Sequence, residues 1–390
     1  MDASYFLRCL SLPLSHPESI HPCLLNACYL GACVISKGGL SSLEAYFVRR
    51  TRHFLEQSLM YADRIPHFLW ASVILGSHLL RLRRLEEAFA VISGAARMSS
   101  ACGLVHEHNA GLADGDRLLP PPRNEQEADD RLKLARSVYI IDQSLAAVSG
   151  YPMTFPGDDS WGPSTNVLQL WGQQREEKKS GGGEVLELWQ SERFKVSILK
   201  LIEQVNRFAF AVHGRSGSRA SEEGYAALGY LISSYVGIIP ALVDVGRPGP
   251  PKPLTELEIT VLSAHITLDG GGLLLHSLRA GEDPEARRQM FGYLRALVGA
   301  LKWIKWYRPL YKIQAGLVPM ILVMNATKIV ANELGRFQVM AEVGQSIDYC
   351  QVLEVLLHYL EDSSLVYPRW ANTHIALKDP LTKAVNSFSV

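Results

Sequence analysis

Residues 66–80 read PHFLWASVILGSHLL, and their apolar side chains would cover every side of a helix rather than one face. A helix that is apolar all round has to be covered by other elements, so we expect this one in the interior of the protein. The charged turn RLRRLEE follows at 81–87, and a second helical stretch runs on to Gly103. Residues 66–103 are therefore predicted to form a helical hairpin, with Gly103 ending its second arm.

The rest of the chain has a similar pattern. Alternation typical of strands is scarce, whereas apolar residues recur every three or four positions over most of the 390 residues. Hydrophobic residues make up 47% of the chain, which is enough for a large interior. The hairpin resembles the stacked units of helical repeat proteins, although no second copy is apparent. The sequence predicts an all-α fold, a large multi-helical domain with helical-hairpin, repeat-like packing.

Charge and cysteine content narrow the classes of function. The 39 Lys and Arg residues balance the 39 Asp and Glu residues. Because nucleic-acid affinity depends mainly on neutralising phosphates, the chain alone is not expected to bind DNA. The six cysteines include no Cys-x-x-Cys pair, so we expect reduced core residues in the cytosol or nucleus. No metal or other cofactor is expected in this chain.

The longest uncharged stretch, residues 226–243, barely reaches membrane-spanning length. It contains serines, tyrosines, glycines and a proline. A buried helix is the better interpretation than a membrane span, and no membrane partner is expected.

Residues 136–152, RSVYIIDQSLAAVSGYP, place Asp142 within an otherwise apolar helix. The two interpretations are an active-site acid and a buried structural carboxylate. Catalysis would need a second acid, a histidine or a metal site at compatible spacing, and the sequence offers none that is recognisable. We expect a lone inner acid that is paired with a neighbouring arginine or held by several hydrogen-bond donors. By residue type, the candidate partners are Arg97 and Arg136.

Several helix ends can be read from the sequence. Gly150 is expected to end the helix that contains Asp142, and Pro152 to prevent its continuation. Ser41 and Glu44 have the spacing of a capping box and predict a helix start.

The segment KWIKWYRPLYK, residues 302–312, combines aromatic and basic side chains. On a helix, Trp303, Trp306 and Tyr307 share a face. Such a segment could stack on bases or lie at a membrane surface. Core aromatics flanked by extended lysine stems are the more common arrangement, and a surface for a partner protein is the next alternative.

The short polar motifs do not meet the requirements of a catalytic or metal site. His106 and His108 lack a third and a fourth ligand. The glycine-rich stretch DGGGLLLH, residues 269–276, follows no strand and contains no Gly-Lys-Ser/Thr, so phosphate binding is not expected. The chain is therefore predicted not to be an enzyme.

Six segments follow one another along the chain in an order typical of one protein family. They are HPCLLNACYLGACVIS (21–36), ISGAARMSSACGLVHEH (92–108), the proline-led loop and aromatic helix of 118–152, DDSWGPS (158–164), ITLDGGGLLLH (266–276) and LVPMILVMNATKIVANEL (317–334). Together they resemble the fungal-specific transcription factor domain, the middle homology region of fungal zinc-cluster regulators.

Two departures from the family pattern bear on function. Gln143 and Tyr151 stand where family members often carry arginine, so a charge network using those arginines is absent or rewired. No Cys-x2-Cys-x6-Cys zinc cluster precedes the matching segments. The resemblance thus implies that DNA is reached only through a missing zinc cluster or a partner, and that zinc belongs to that cluster alone.

The resemblance implies a nuclear protein that regulates transcription. Its partners would be coregulator proteins or a small-molecule effector, and it is compatible with homodimers or heterodimers. Two other classes remain open: an all-α ligand-binding protein or enzyme with a pocket between helices, and a helical protein–protein scaffold. The predicted organisation is a lead-in over 1–20, the regulatory domain over 21–340 with a flexible insert at 172–186, and a C-terminal helix and tail over 341–390.

Overall fold

The computed structural model describes residues 3–36, 39–104, 118–149, 151–155, 192–214, 220–239, 256–307, 317–337 and 349–364. These residues form helices and turns and contain no strand, so the predicted all-α class is confirmed. The chain divides into two compact units, residues 1–157 and 158–390. The predicted domain boundaries at 20/21 and 340/341 stay predictions, and the predicted insert at 172–186 lies outside the described residues.

The first unit is organised around one central helix. Its described α-helices are α1 (Ala3–Leu10), α2 (Pro22–Ile35), α3 (Glu44–Met60), α4 (Ile65–Arg81), α5 (Leu85–Ala101) and α6 (Glu125–Ser149). Helix α4 packs against α2, α3, α5 and α6, and Leu69, Leu75 and Leu79 along it are fully buried. The stretch that is apolar all round is thus the core helix, and α4 and α5 form the predicted hairpin.

The second unit repeats this plan with a different central helix. Its described α-helices are α7 (Glu192–Gly214), α8 (Ala220–Ile238), α9 (Glu256–Ser277), α10 (Pro284–Tyr307), α11 (Leu317–Phe337) and α12 (Tyr349–Ser364). Helix α9 packs against α7, α8, α10 and α11. From Ala264 to His276 nearly every residue of α9 is buried, so this helix too is covered on all sides.

The glycine run 270–272 allows three helices to approach α9. A Cβ on the first glycine would lie 2.7 Å from Leu322 Cβ of α11. A Cβ on the second would overlap the Ile202 side chain of α7, and a Cβ on the third would lie 2.7 Å from the Tyr293 ring of α10. Consecutive helical residues point about 100° apart. The run therefore serves packing in three directions.

The start of α3 differs from its prediction. The helix begins at Glu44, after a 3-10 helix over Ser41–Leu43, and its N-cap is Leu43, which makes no side-chain capping bond. The capping-box prediction is wrong. Glu44 Oε2 instead accepts a hydrogen bond from Arg81 Nη2 at 2.8 Å. Its carboxylate thus joins α3 to the end of α4.

Gly103 ends α5 in the left-handed conformation, with φ of +70°. Its N–H donates to the carbonyl of Ser100 at 2.9 Å, and the N–H of Leu104 donates to the carbonyl of Ser99 at 3.1 Å. This pair of bonds is a Schellman motif, which satisfies carbonyls that the helix itself leaves open.

The same motif ends α3, but with Ala62 at the left-handed position, at φ of 49°. We expect Ala62→Gly to raise, and Gly103→Ala to lower, the free energy of unfolding by about 1 kcal/mol each, because a Cβ is disfavoured in this conformation. Urea denaturation of both variants measures the two changes. If both substitutions raised the free energy of unfolding, or both lowered it, this account would be contradicted.

Four of the cysteines lie where core residues are expected. Cys9, Cys23, Cys33 and Cys102 are buried and form no disulfide. Burial raises the pKa of Cys23 to about 12 and that of Cys102 to about 11. These thiols therefore stay protonated at pH 7 and pack as small apolar side chains.

Candidate functional site

The first unit contains a cleft of about 730 Å³, formed by α1, the loop at residues 16–18 and the starts of α4 and α6. Pro66, Trp70 and Leu134 contribute apolar surface, and the other lining side chains include four arginines, three acids and two histidines. A cavity of several hundred Å³ that combines apolar surface with a few convergent polar groups is typical of small-molecule sites.

The start of α6 supplies a set of linked charges. Asn124 caps the helix, since its Oδ1 accepts from the N–H of Glu127 at 2.8 Å. Glu127 Oε2 accepts from the backbone N–H and the Nε of Arg123, both at 3.0 Å, and its Oε1 accepts from Arg131 Nη2 at 2.6 Å. Arg123 Nη1 also donates to Glu18 Oε1 at 2.8 Å.

These bonds fix the protonation of Glu127. Partial burial alone would raise the pKa of its carboxyl. The hydrogen bonds from Arg123 and Arg131, together with the charge of Arg131, outweigh that effect and hold the pKa of Glu127 at about 2. Glu127 is therefore ionised at pH 7, with both of its oxygens engaged.

Arg64, at the start of α4, is held rigidly. Its Nε and Nη2 donate to the two carboxylate oxygens of Asp63 at 3.0 and 2.6 Å, and its Nη1 donates to the carbonyl and the Oγ of Ser19 at 3.0 and 2.7 Å. Its backbone is left-handed, with φ of 49°, which costs about 1–2 kcal/mol for a residue other than glycine. Such strain persists only where surrounding contacts enforce it, as these four hydrogen bonds do.

His67 contributes a neutral donor. Its Nδ1 accepts a hydrogen bond from the backbone N–H of His21 at 3.2 Å. Burial, reinforced by the nearby charges of Arg64 and His21, lowers the pKa of His67 to about 4. The ring is neutral at pH 7 and carries its proton on Nε2, because Nδ1 is already an acceptor.

Asp142 is buried, and backbone donors hold it. Its Oδ2 accepts from the N–H of Thr154 at 2.9 Å and from the N–H of Phe155 at 3.2 Å. Burial raises the pKa of Asp142, and these hydrogen bonds oppose that shift. Within the described residues no cation contacts it, so the predicted pairing with Arg97 or Arg136 is wrong and the hydrogen-bonded alternative is correct. Arg97 is exposed.

This geometry predicts a large difference between two substitutions of Asp142. Asp142→Leu should lower the free energy of unfolding by roughly 2–4 kcal/mol, because two buried N–H groups lose their acceptor. Asp142→Asn should cost less than about 1 kcal/mol, since an amide oxygen can accept both bonds. Thermal denaturation distinguishes them, and equal losses for the two variants would refute the structural role.

Of the other two residues predicted to end the Asp142 helix, the structure describes Pro152 but not Gly150. Helix α6 ends at Ser149, and Pro152 lies just beyond it in the described segment 151–155. Gly150 lies outside the described residues, so its role as a helix terminator stays a prediction. Neither Asp142 nor Pro152 lines the cleft described above.

Trp303, Trp306 and Tyr307 lie in the last two turns of α10. The structure describes the backbone of these residues but not their side chains, so the partner surface predicted for them stays a prediction.

Asp142 is not the lone inner acid. Asp269 in α9 is only 2% exposed, and burial raises its pKa to about 7. It makes no hydrogen bond or ion pair within the part of the chain that the structure describes. His276 lies seven residues further along α9. Its Nδ1 shares a hydrogen bond of 2.6 Å with Tyr225 Oη, and its ring stacks on that of Tyr293.

Sequence reasoning missed this cluster because it tested DGGGLLLH only as a phosphate loop. The spacing of Asp269, Gly272 and His276 at i, i+3 and i+7 places all three on one helix face, and this spacing was the signal that could have revealed them.

The second unit has a smaller cavity of about 490 Å³ between α7, α9, α10 and α11. Its lining includes Asn206, Asn325 and Lys328 beside the apolar Phe210 and Met290. It contains fewer charged groups than the cleft of the first unit, and no residue predicted from the sequence lines it.

Metal-ligand groupings and membrane-spanning helices are both absent from the described residues. No three His, Cys, Asp or Glu side chains there are grouped so that they could hold a metal ion. None of the helices in those ranges is both long enough and apolar enough to span a bilayer.

Comparison of the chain with protein-family models, with curated proteins and with solved structures finds no match.

Proposed function

We propose that this chain is the regulatory region of a nuclear transcription regulator of the kind it resembles, the fungal-specific transcription factor domain. It would control transcription by binding an effector or a coregulator, and would reach DNA only through a zinc cluster outside this sequence or through a partner. The observation that carries the proposal is the order of the six family-like segments along an all-α chain.

The positions of these segments in the fold support the proposal. Residues 21–36 contain α2, which packs on the central helix α4, and residues 92–108 contain the end of α5. Residues 118–152 contain α6, whose start lines the cleft. Residues 266–276 and 317–334 lie in α9 and α11, which pack on each other. The segments that carry the resemblance thus belong to the framework of both units, while 158–164 lies outside the described residues.

The chemistry of Glu127 and His67 in the cleft supports binding rather than proton transfer. A general acid or base works best with a pKa near the operating pH. The pKa of Glu127 is about 2 and that of His67 is about 4, so neither exchanges protons readily at pH 7. A site of this kind suits recognition of an effector.

The proposal is tested by fusing the chain to an unrelated DNA-binding domain and measuring a reporter gene that carries the matching sites. We expect a several-fold change in transcription relative to the DNA-binding domain alone. The purified chain without that domain should show no competitor-resistant DNA shift at physiological salt. An unchanged reporter, with the fusion present in the nucleus at equal amounts, would refute the proposal.

A second candidate is an all-α ligand-binding protein without a role in transcription, and the cleft of about 730 Å³ is the observation that favours it. The same reporter experiment distinguishes the two. Ligand binding by the purified chain together with an unchanged reporter would select this second candidate.

A further inference from the structure

The hydrogen bonds that Arg123 and His67 make leave each of them a donor for a ligand. Glu127 accepts at both of its oxygens, and Glu18 accepts from Arg123. Arg123 uses Nε and Nη1 in these bonds, and its Nη2 makes none within the described ranges of the chain. The Arg123 side chain is 64% exposed, so this amino group is accessible to a molecule in the cleft.

His67 adds a second donor of a different kind. Its Nδ1 is occupied by the backbone N–H of His21, so the protonated Nε2 is the ring nitrogen left to a ligand. The two donors are complementary: Arg123 carries a full charge near the cleft rim, and the His67 ring presents a fixed neutral N–H beside Pro66 and Trp70. An aromatic ring and a proline provide a flat apolar surface next to these donors.

We propose that the cleft binds a small organic anion, with carboxylate or phosphate oxygens on Arg123 Nη2 and His67 Nε2 and a flat apolar body against Trp70. Charge-assisted bonds from a guanidinium to such oxygens are among the stronger hydrogen bonds in proteins. The assignment deepens the proposed function, because an anion bound in the cleft would be the effector. Its role as an effector rests on that proposed function, whereas its binding is measured on the purified chain alone.

Other ligand classes fit less well. A cationic ligand would meet the exposed charge of Arg123, and it would compete with Arg123 and Arg131 for Glu18 and Glu127, which these arginines already engage. An uncharged apolar ligand would cover the donors of Arg123 and His67 without supplying acceptors, which costs about 1–3 kcal/mol for each buried group left unpaired.

The test uses isothermal titration calorimetry on the purified full chain with four probes that share a benzene ring. Phenyl phosphate and benzoate represent the two anion chemistries, benzyl alcohol is the uncharged control, and benzylamine is the cationic control. We expect one or both anions to bind more tightly than the two controls, and added NaCl to weaken that binding because salt screens the guanidinium. Comparison of the two anions distinguishes a phosphate ester from a carboxylate.

Variants locate the binding. Arg123→Gln and His67→Leu should each weaken anion binding roughly ten- to hundred-fold, whereas His67→Gln, which keeps an N–H donor, should weaken it less. Arg84→Gln is the matched control, because Arg84 pairs with Glu87 in the same unit and does not line the cleft. Circular dichroism of each variant confirms folding, and the exposed position of Arg123 keeps the test independent of the core.

Three results would overturn the assignment: no heat from either anion at millimolar concentration, binding of both anions no tighter than that of benzyl alcohol, or wild-type affinity in the folded Arg123→Gln variant. A failure of the reporter experiment would refute the proposed function and leave an anion-binding cleft in place. A failure of the titration would refute the assignment and leave the regulatory proposal open to a coregulator.

Discussion

Asp269→Asn is expected to raise the free energy of unfolding of the second unit at pH 8, by up to about 4 kcal/mol. At pH 3 the same substitution should have little effect, because the carboxyl of Asp269 is then neutral in both folded and unfolded chains. The reason is that burial raises the pKa of Asp269 from 3.8 to about 7.

The direction follows from proton binding. Between pH 3.8 and about 7 the folded state keeps a proton on Asp269 that the unfolded chain has released. The stability that this group contributes is therefore complete below the lower value and is lost as the pH rises through the upper one. At pH 8 folding carries a charged carboxylate into the interior, and an amide of the same shape avoids that penalty.

His276 on the same face of α9 works in the opposite direction. Burial lowers the pKa of His276 from 6.5 to about 4, so its contribution to stability is present above pH 6.5 and is lost as the pH falls to about 4. The two dependences offset each other in the wild-type unit between those values. In the Asp269→Asn variant, the loss of stability in acid due to His276 should become visible.

A chain of two units need not unfold in one step, so the free energy of unfolding has to be measured for the second unit alone. Hydrogen exchange of peptides from α9 and α10 at several urea concentrations does so. Glu222→Gln, at an exposed acid in α8, is the control, and its effect should be far smaller than that of Asp269→Asn at pH 8. A variant Asp269→Asn that is less stable than wild type at pH 8 would contradict the account.

Gly270→Ala is expected to destabilise the second unit by roughly 2–3 kcal/mol. The added methyl would lie 2.7 Å from Leu322 Cβ. Because that atom is bonded directly to the backbone, α11 has to shift away from α9. Gly271→Ala should have a smaller effect, since its methyl meets the far end of the Ile202 side chain, which can rotate.

Gly292→Ala is the matched control for this prediction. It is also a glycine within a helix of the second unit, but it is exposed and a Cβ there meets no atom within 4 Å. Alanine should stabilise the unit by about 1 kcal/mol through helix propensity alone. Urea denaturation of Gly270→Ala, Gly271→Ala and Gly292→Ala ranks the three variants by their free energy of unfolding. A destabilising Gly292→Ala, or a neutral Gly270→Ala, would show that close packing at α9 does not depend on the glycine run.

The sequence predicted best what depends on local pattern. The apolar stretch at 66–80 predicted a buried helix, and Gly103 predicted a helix end, because both follow from side-chain spacing and backbone preference within a few residues. The prediction that Asp142 is a buried carboxylate held by hydrogen-bond donors was correct, because a carboxylate inside a protein needs such donors or a cation. Its partners were backbone N–H groups of Thr154 and Phe155, which carry no mark in the sequence.

The cleft could not be predicted, because its contacts join residues far apart in the chain. Arg123 bonds to Glu18, 105 residues away, and His67 accepts from His21, 46 residues away. Single-sequence patterns do not report such distances. The role of the glycine run was hidden for the same reason, since the helices that contact it come from residues near 202, 293 and 322.

The most direct test of the central claim, our proposal that the chain regulates transcription through an effector bound in the cleft of the first unit, is the tethered reporter measured with cleft variants at equal nuclear protein levels. Arg123→Gln and His67→Leu should each change reporter output several-fold from that of the wild-type fusion, while Arg84→Gln leaves it unchanged. Identical output from the wild-type fusion and from both folded cleft variants would contradict the claim.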